Sequence, residues 1–226
     1  MARGVEGTGR SRARWSILSV VLLGLVAGCS SPSVVADRVV VIGDSSGALQ
    51  EPDLAAALHP KFQVSTVIRT EGRVGAIEAA AVGPLTDGGT PGVVVVNLGT
   101  DDAIRPVRSS GITVDLQPLL DAIHAVPCVV LTTVGVGADE RSGSTVALQI
   151  NRQILRQEAA DPKRVKVVDW EHFLATLPPQ SLSTYLAPDR VHPTTAGDQW
   201  LARSDLAGVE ACGSAVQPTV LGAGAS

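Results

Sequence analysis

Apolar positions fall into five short, nearly continuous runs, separated by segments in which they recur at helical spacing. The runs are Arg38–Ile42, Val64–Ile68, Val93–Asn97, Cys128–Thr132 and Val165–Val168, each bounded by polar or turn residues. Strands buried on both faces have this character, because neither face alternates with water. Between the runs, helices are predicted over Glu51–His59, Val74–Ala81, Leu116–Ala125 and Ser144–Ala160, with a last one after Thr195. Asp115 stands where it could cap the third of these. The fourth is the clearest: Val146, Leu148, Ile150, Ile154 and Leu155 alternate with Gln149, Arg152, Gln153, Arg156 and Gln157. Ser144 is placed as its N-cap, and Asp161-Pro162 stops it. Trp200 and Leu201 of the last helix are expected to face the sheet. Strands alternating with helices predict one α/β unit over 38–212, with a parallel sheet covered on both faces. Loops at the carboxyl ends of such strands are where chemistry is expected. Residues 213–226 are small and polar and read as a frayed tail.

The first 28 residues have a different pattern. Arg3, Arg10, Arg12 and Arg14 precede the apolar stretch Trp15–Ala27. A membrane-spanning helix needs about 20 apolar residues, so this shorter stretch fits a signal segment. It ends in Leu25-Val26-Ala27-Gly28-Cys29, which resembles the lipobox of bacterial lipoproteins. That resemblance implies a signal peptide over 1–28, diacylglycerol on the Cys29 thiol, and a tether over 29–37. Two buried acyl chains give stable anchoring. The expected location is the outer face of the bacterial cell membrane. The alternative is an ordinary secretory signal with an incidental cysteine. Cys128 and Cys212 then remain as an even pair in an oxidising compartment, either disulfide-bonded or, for Cys128, buried as a small hydrophobe.

Composition narrows the functional classes. Outside the signal segment the chain carries 14 basic against 21 acidic side chains. A mildly acidic body without a basic run offers no footprint for nucleic acid. Aromatic residues make up only 3% of the chain, too few for an aromatic carbohydrate platform. The four histidines are scattered and the cysteines lack paired spacing, so neither a metal site nor a cofactor is expected. The first loop lacks GxGxxG and a P-loop lysine, which counts against a nucleotide or flavin binder.

Two segments carry chemistry. The first run ends in Gly43-Asp44-Ser45-Ser46-Gly47, which puts a serine hydroxyl at a tight corner after a buried strand. Far downstream, Pro188-Asp189-Arg190-Val191-His192-Pro193 places an aspartate three residues before a histidine, between two prolines. A neutral histidine is the natural base for a serine hydroxyl, and a carboxylate orients its ring. His59, His124 and His172 have no such partner in the sequence. Asp44 reads as a local hydrogen-bonding residue of its loop, and Asp169 and Trp170 as turn and packing residues.

Together these segments resemble the SGNH (GDSL-like) hydrolase family. Its GDS block matches Gly43-Asp44-Ser45, and its DxxH block matches Asp189 and His192, with Pro-Thr-Thr-Ala-Gly directly after. Its GxND block is partly matched by Gly99-Thr100-Asp101-Asp102, and its lone glycine after strand two by Gly72. The resemblance covers residues 38–206. It implies a three-layer α/β/α fold with a flavodoxin-like five-stranded parallel sheet, Ser45 as nucleophile, His192 as base and Asp189 as orienting acid. Amides of Ser45 and Gly72, with a side chain at position 101, would form the oxyanion hole. A looser likeness, through Val165–Trp170, the Asn151 helix and the final block, is to SGNH domains attached to membrane acyltransferases that modify envelope glycans.

One position departs from the family pattern. Asp101 stands where the family has an asparagine amide, and a carboxylate has no proton to give an oxyanion. Three readings stay open: Asp101 carries a proton, two backbone donors suffice, or hydrolysis is lost and the fold kept for binding. Asn97 cannot substitute, because it lies within the strand. The expected function is an envelope esterase, or an acyltransferase using the same acyl-enzyme. Its substrate would be an acylated small molecule, lipid or glycan. The alternative is a non-catalytic lipoprotein binding a glycan or a protein partner.

Overall fold

The computed structural model describes residues 33–104, 114–135 and 141–213. The segment read as a signal peptide, Cys29 and the residues read as a frayed tail beyond Gly213 lie outside them.

Five strands, β1 (Val34–Gly43), β2 (Gln63–Ile68), β3 (Thr90–Asn97), β4 (Cys128–Thr132) and β5 (Val165–Val168), form one parallel sheet in the order β2-β1-β3-β4-β5. The helices are α1 (Ser45–Leu58), α2 (Val74–Thr86), α3 (Thr100–Ile104), α4 (Gln117–Ala122), α5 (Arg141–Ala160), α6 (Trp170–Thr176), α7 (Leu182–Tyr185) and α8 (Thr195–Glu210). The strand order reverses between β1 and β3, and such a switch point opens a crevice at the carboxyl ends of the strands. Gly43 and Asn97, the last residues of those two strands, are register partners there.

The central strands contribute alternate residues to two cores. Val40, Ile42, Val94, Val96, Val129 and Leu131 pack with α2, α4 and α5. Val39, Val41, Val93, Val95 and Val130 pack with α1, α6 and α8. All of these are at most 5% exposed. Each such side chain contributes about 1.5–3 kcal/mol of burial, which explains why both faces of the runs are apolar.

Several boundaries differ from those expected. β1 reaches back to Val34, four residues into the segment read as tether, because Val34 and Val35 pair with Thr90 and Pro91 before a register shift. α1 starts at Ser45, not Glu51: the Asp44 side chain accepts from the Ser46 amide and starts the helix at once, and Pro52 lies inside it. α2 runs on to Thr86, with Leu85 buried in the core. α4 is confined to Gln117–Ala122, its first amide accepted by Asp115. α5 starts at Arg141, so Ser144 lies within the helix and is not its cap. Leu201 faces the sheet, but Trp200 stacks on Phe173 (4.1 Å) and lies 5.2 Å from Trp170. Cys128 and Cys212 are joined in a disulfide that ties the end of α8 to β4, with a Cα separation of 5.9 Å.

Candidate active site

The switch point is built by two turns that lean on each other. Asp44 donates its amide to the Asn97 carbonyl at 3.1 Å, continuing the β1–β3 pairing past the strand end. A Cβ on Gly43 would come within 2.9 Å of the Gly47 Cα, so the chain can fold back into α1 only with glycine there. Asp44 is fully buried. Its Oδ1 accepts from Ser46 N (3.1 Å), and its Oδ2 accepts from the amides of Gly99 (2.9 Å), Thr100 (2.8 Å) and Asp101 (3.3 Å). The carboxylate thus fastens the turn carrying Ser45 to the turn carrying Asp101. Burial, and then the neighbouring Asp101 carboxylate, push the Asp44 pKa up to about 6 against the pull of these amides.

The histidine loop is closed on itself before α8. Leu186 and Pro193 form an antiparallel bridge, Ala187 N–H donates to the His192 carbonyl (2.8 Å), and Arg190 N–H donates to the Ala187 carbonyl (2.8 Å). Arg190 takes a left-handed φ of 59° to complete the turn. Asp189 Oδ1 accepts from the amides of Val191 and His192, both at 3.0 Å. These bonds leave Asp189 Oδ2 for the ring, and His192 Nδ1 lies 2.8 Å from it. Partial burial works to raise the Asp189 pKa, but the ring N–H and the two amides outweigh it and hold the carboxyl below its ordinary value.

The other ring nitrogen, His192 Nε2, lies 3.1 Å from Ser45 Oγ. With Nδ1 protonated toward Asp189, Nε2 is the acceptor for the serine proton, a tautomer assigned from the hydrogen bonds. Three residues named from the sequence therefore meet in one line, from carboxylate through imidazole to hydroxyl. In this arrangement a histidine can remove a serine proton as the oxygen attacks an electrophile.

The expected oxyanion donors are arranged differently. Ser45 is the first residue of α1, so its N–H has no partner within the helix. Gly72 N–H donates to the Arg69 carbonyl at 3.0 Å, in a turn where Glu71 has φ of 65°. It is therefore engaged and not open to an incoming oxyanion. Asp101, 2% exposed, places Oδ1 3.4 Å from Ser45 Oγ, while its buried Oδ2 has no hydrogen-bond partner. Asp102 turns away and caps α2, accepting from Val74 N at 2.9 Å. Burial is the main cause of its raised pKa, countered by the Val74 amide and Arg73.

Other polar residues at the site carry no motif. Asn97 Nδ2 donates to Gln50 Oε1 (2.8 Å), Gln50 Nε2 donates to Asp205 Oδ2, and Thr132 Oγ1 donates to Asp205 Oδ1 (3.0 Å). This buried chain links β3, α1, α8 and β4 beneath the switch point. Its one sequence signal is polar residues inside apolar elements. Asp205 is completely buried, which pushes its pKa up to about 6 against the bonds from Gln50 and Thr132. Asp198, in the first turn of α8, is also raised to about 6, by burial and then by Asp53, with His192 pulling the other way. A pocket of about 350 Å³ flanks the histidine loop, lined by Pro179, Leu182, Leu186, Pro188, Arg190 and Thr194 among others.

Solved structures share this architecture. The C-terminal catalytic domain of peptidoglycan O-acetyltransferase A from Streptococcus pneumoniae is 16% identical and superposes with a TM-score of 0.59, over 78% of this chain and 94% of that one. A lipase/acylhydrolase from Enterococcus faecalis is 18% identical, with a TM-score of 0.56 over 76% of this chain and 95% of that one. An acetylxylan esterase from Geobacillus stearothermophilus, as a catalytic mutant, is 19% identical, with a TM-score of 0.54 over 76% and 94%. At these identities the likeness is one of fold. No curated protein matches the chain in sequence. The sequence model of the GDSL-like lipase/acylhydrolase family does match, over residues 27–200, and spans both the serine turn and the histidine loop: the chain belongs to that family, and its five-stranded α/β sheet is the fold of the SGNH hydrolases.

Proposed function

We propose that the chain is an exported, lipid-anchored serine esterase that cleaves short acyl esters, acetyl above all, on glycans or lipids of the cell envelope. The observation that carries this reading is the continuous hydrogen-bonded line Asp189–His192–Ser45, at 2.8 and 3.1 Å. In the proposed cycle Ser45 Oγ attacks the ester carbonyl while His192 Nε2 takes its proton. The tetrahedral oxyanion forms beside the Ser45 amide. Its collapse breaks the ester C–O bond, and the leaving alcohol takes the proton back from His192. Water then repeats the sequence on the acyl-serine and releases the acid; a sugar hydroxyl in the place of water would make the same enzyme a transferase. Asp189 holds the ring in the productive tautomer and stabilises the imidazolium. The acetyl ester class is supported by the peptidoglycan O-acetyltransferase and the acetylxylan esterase among the structural neighbours. Export and anchoring rest on the signal-like segment and on Cys29 alone.

A fluorophosphonate probe and a chromogenic acetyl ester test the reading together. Labelling and turnover by the wild type, with neither in Ser45→Ala, are expected. A folded wild type that takes no label would refute it. That result would favour the second reading, a binding lipoprotein on the same fold, for which the engaged Gly72 amide and the Asp101 carboxylate are the supporting observations.

A further inference from the structure

Asp101 and Asp198 each keep a buried carboxylate oxygen without a hydrogen-bond partner, and Asp101 is the one that lies against the Ser45 hydroxyl. It is 2% exposed, Oδ1 is 3.4 Å from the Ser45 hydroxyl, and Oδ2 is buried with no donor. Buried carboxylate oxygens are costly when unpaired, and native structures keep few of them without a reason. The neighbours do not supply the missing donor. The Asp101 amide points to Asp44, and both Asp44 and Asp102 feel Asp101 as a nearby carboxylate that raises their own pKa. The hydroxyl of Ser45 has a single proton, and His192 Nε2, at 3.1 Å, is a closer acceptor for it than Asp101 Oδ1 at 3.4 Å. Among the described residues no group of three or more acidic, histidine or cysteine side chains is arranged to hold a cation. Among the described residues, Ser45 is the one whose side chain offers Asp101 a hydrogen bond, and that hydroxyl is drawn toward His192. Because Asp101 Oδ1 lies 3.4 Å from the nucleophile, a donor brought to it by a bound molecule would sit alongside the ester that the nucleophile attacks.

We propose that Asp101 is a specificity-determining residue that accepts a hydrogen bond from a free hydroxyl next to the scissile ester, so that the enzyme selects partially acylated polyols and sugars over esters of simple alcohols. This inference rests on the serine esterase reading. A carboxylate is poorly suited to an oxyanion hole but well suited to a vicinal hydroxyl, since charge-assisted bonds of this kind are shorter and stronger than neutral ones. A substrate that brings the hydroxyl gives this carboxylate a donor at Oδ1, the oxygen facing Ser45. One that lacks it leaves the carboxylate desolvated and unpaired in the closed complex, and sites of this kind reject the deficient analogue.

The test compares cis-2-hydroxycyclohexyl acetate with cyclohexyl acetate as substrates of the purified protein, with fluorophosphonate labelling of Ser45 run in parallel. The wild type is expected to favour the hydroxy ester in kcat/KM by about tenfold or more, the discrimination typical of a hydrogen bond to a charged group. Asp101→Ala removes the acceptor and is expected to bring the ratio within about twofold of unity, on the same scale. Asp101→Asn restores an amide donor and is expected to raise turnover of the plain ester relative to wild type. Labelled wild type that hydrolyses both esters equally would overturn this inference while leaving the esterase reading intact; water would then serve as the donor. A preference that persists in Asp101→Ala would overturn it as well. Absence of both labelling and turnover would overturn the two readings together.

Discussion

Replacing Asp205 by asparagine isolates the cost of keeping one buried carboxylate beneath the candidate site. Asp205 is completely buried, and its pKa rises from an ordinary value of 3.8 to about 6. The folded chain therefore binds this proton more tightly than the unfolded chain does. The resulting stability is fully present below pH 3.8 and is lost as the pH rises through about 6. A displacement of roughly two pKa units corresponds to about 3 kcal/mol at about 1.36 kcal/mol per unit. Asparagine keeps the hydrogen bonding: its oxygen accepts from Gln50 Nε2, and its amide donates to Thr132 Oγ1, whose hydroxyl can rotate to receive it. The Asp205→Asn chain should thus match wild type near pH 4 and exceed it by up to about 3 kcal/mol at pH 7, or about 6–12 °C in Tm. Urea denaturation monitored by the fluorescence of Trp170 and Trp200, at half-unit steps from pH 4 to 7, measures the difference. Parallel stability curves for the two chains, or a variant that loses ground as the pH rises, would refute the reasoning.

Asp189→Asn keeps the acceptor for the Val191 and His192 amides but loses the charge facing the ring, so kcat is expected to fall by about 10²–10⁴ with little change in Tm. An unchanged rate would show that the carboxylate does not orient His192. Asp44→Ala strips the acceptor from four amides at the switch point, at a cost of about 2–4 kcal/mol by urea denaturation at pH 7, together with loss of turnover as the Ser45 and Asp101 turns separate. A stable, fully active variant would contradict its role as a clamp. Reduction, or Cys128→Ser, opens a covalent loop with a sequence separation of 84, which in the chain-entropy picture removes up to about 4–5 kcal/mol. Thermal melts with and without reductant check this, and two free thiols in the native protein would exclude it.

The hydrophobic pattern by itself determined the five strands, because a parallel strand between two helical layers has no wet face and reads as an uninterrupted apolar run. Ser45, Asp189 and His192 were legible for a related reason. Each lies in a short local motif whose turn chemistry is written in its own glycines and prolines, and the residues within each motif are in contact with one another. Helix starts were less legible. α1 begins six residues early because one capping side chain, Asp44, sets the start ahead of the first strongly helical residues, and α3, α6 and α7 are too short to show a period. Residues far apart in the chain were not legible as partners at all. Gln50, Asn97, Thr132 and Asp205 join only where β3, β4, α1 and α8 converge. The oxyanion side depended on the tertiary structure most of all. Sequence could name Gly72 and Asp101, but only the folded chain engages the Gly72 amide with Arg69 and leaves Asp101 Oδ2 buried and unpartnered. A motif specifies which groups are available; whether a given N–H or oxygen is free depends on what the rest of the chain has already bonded to it.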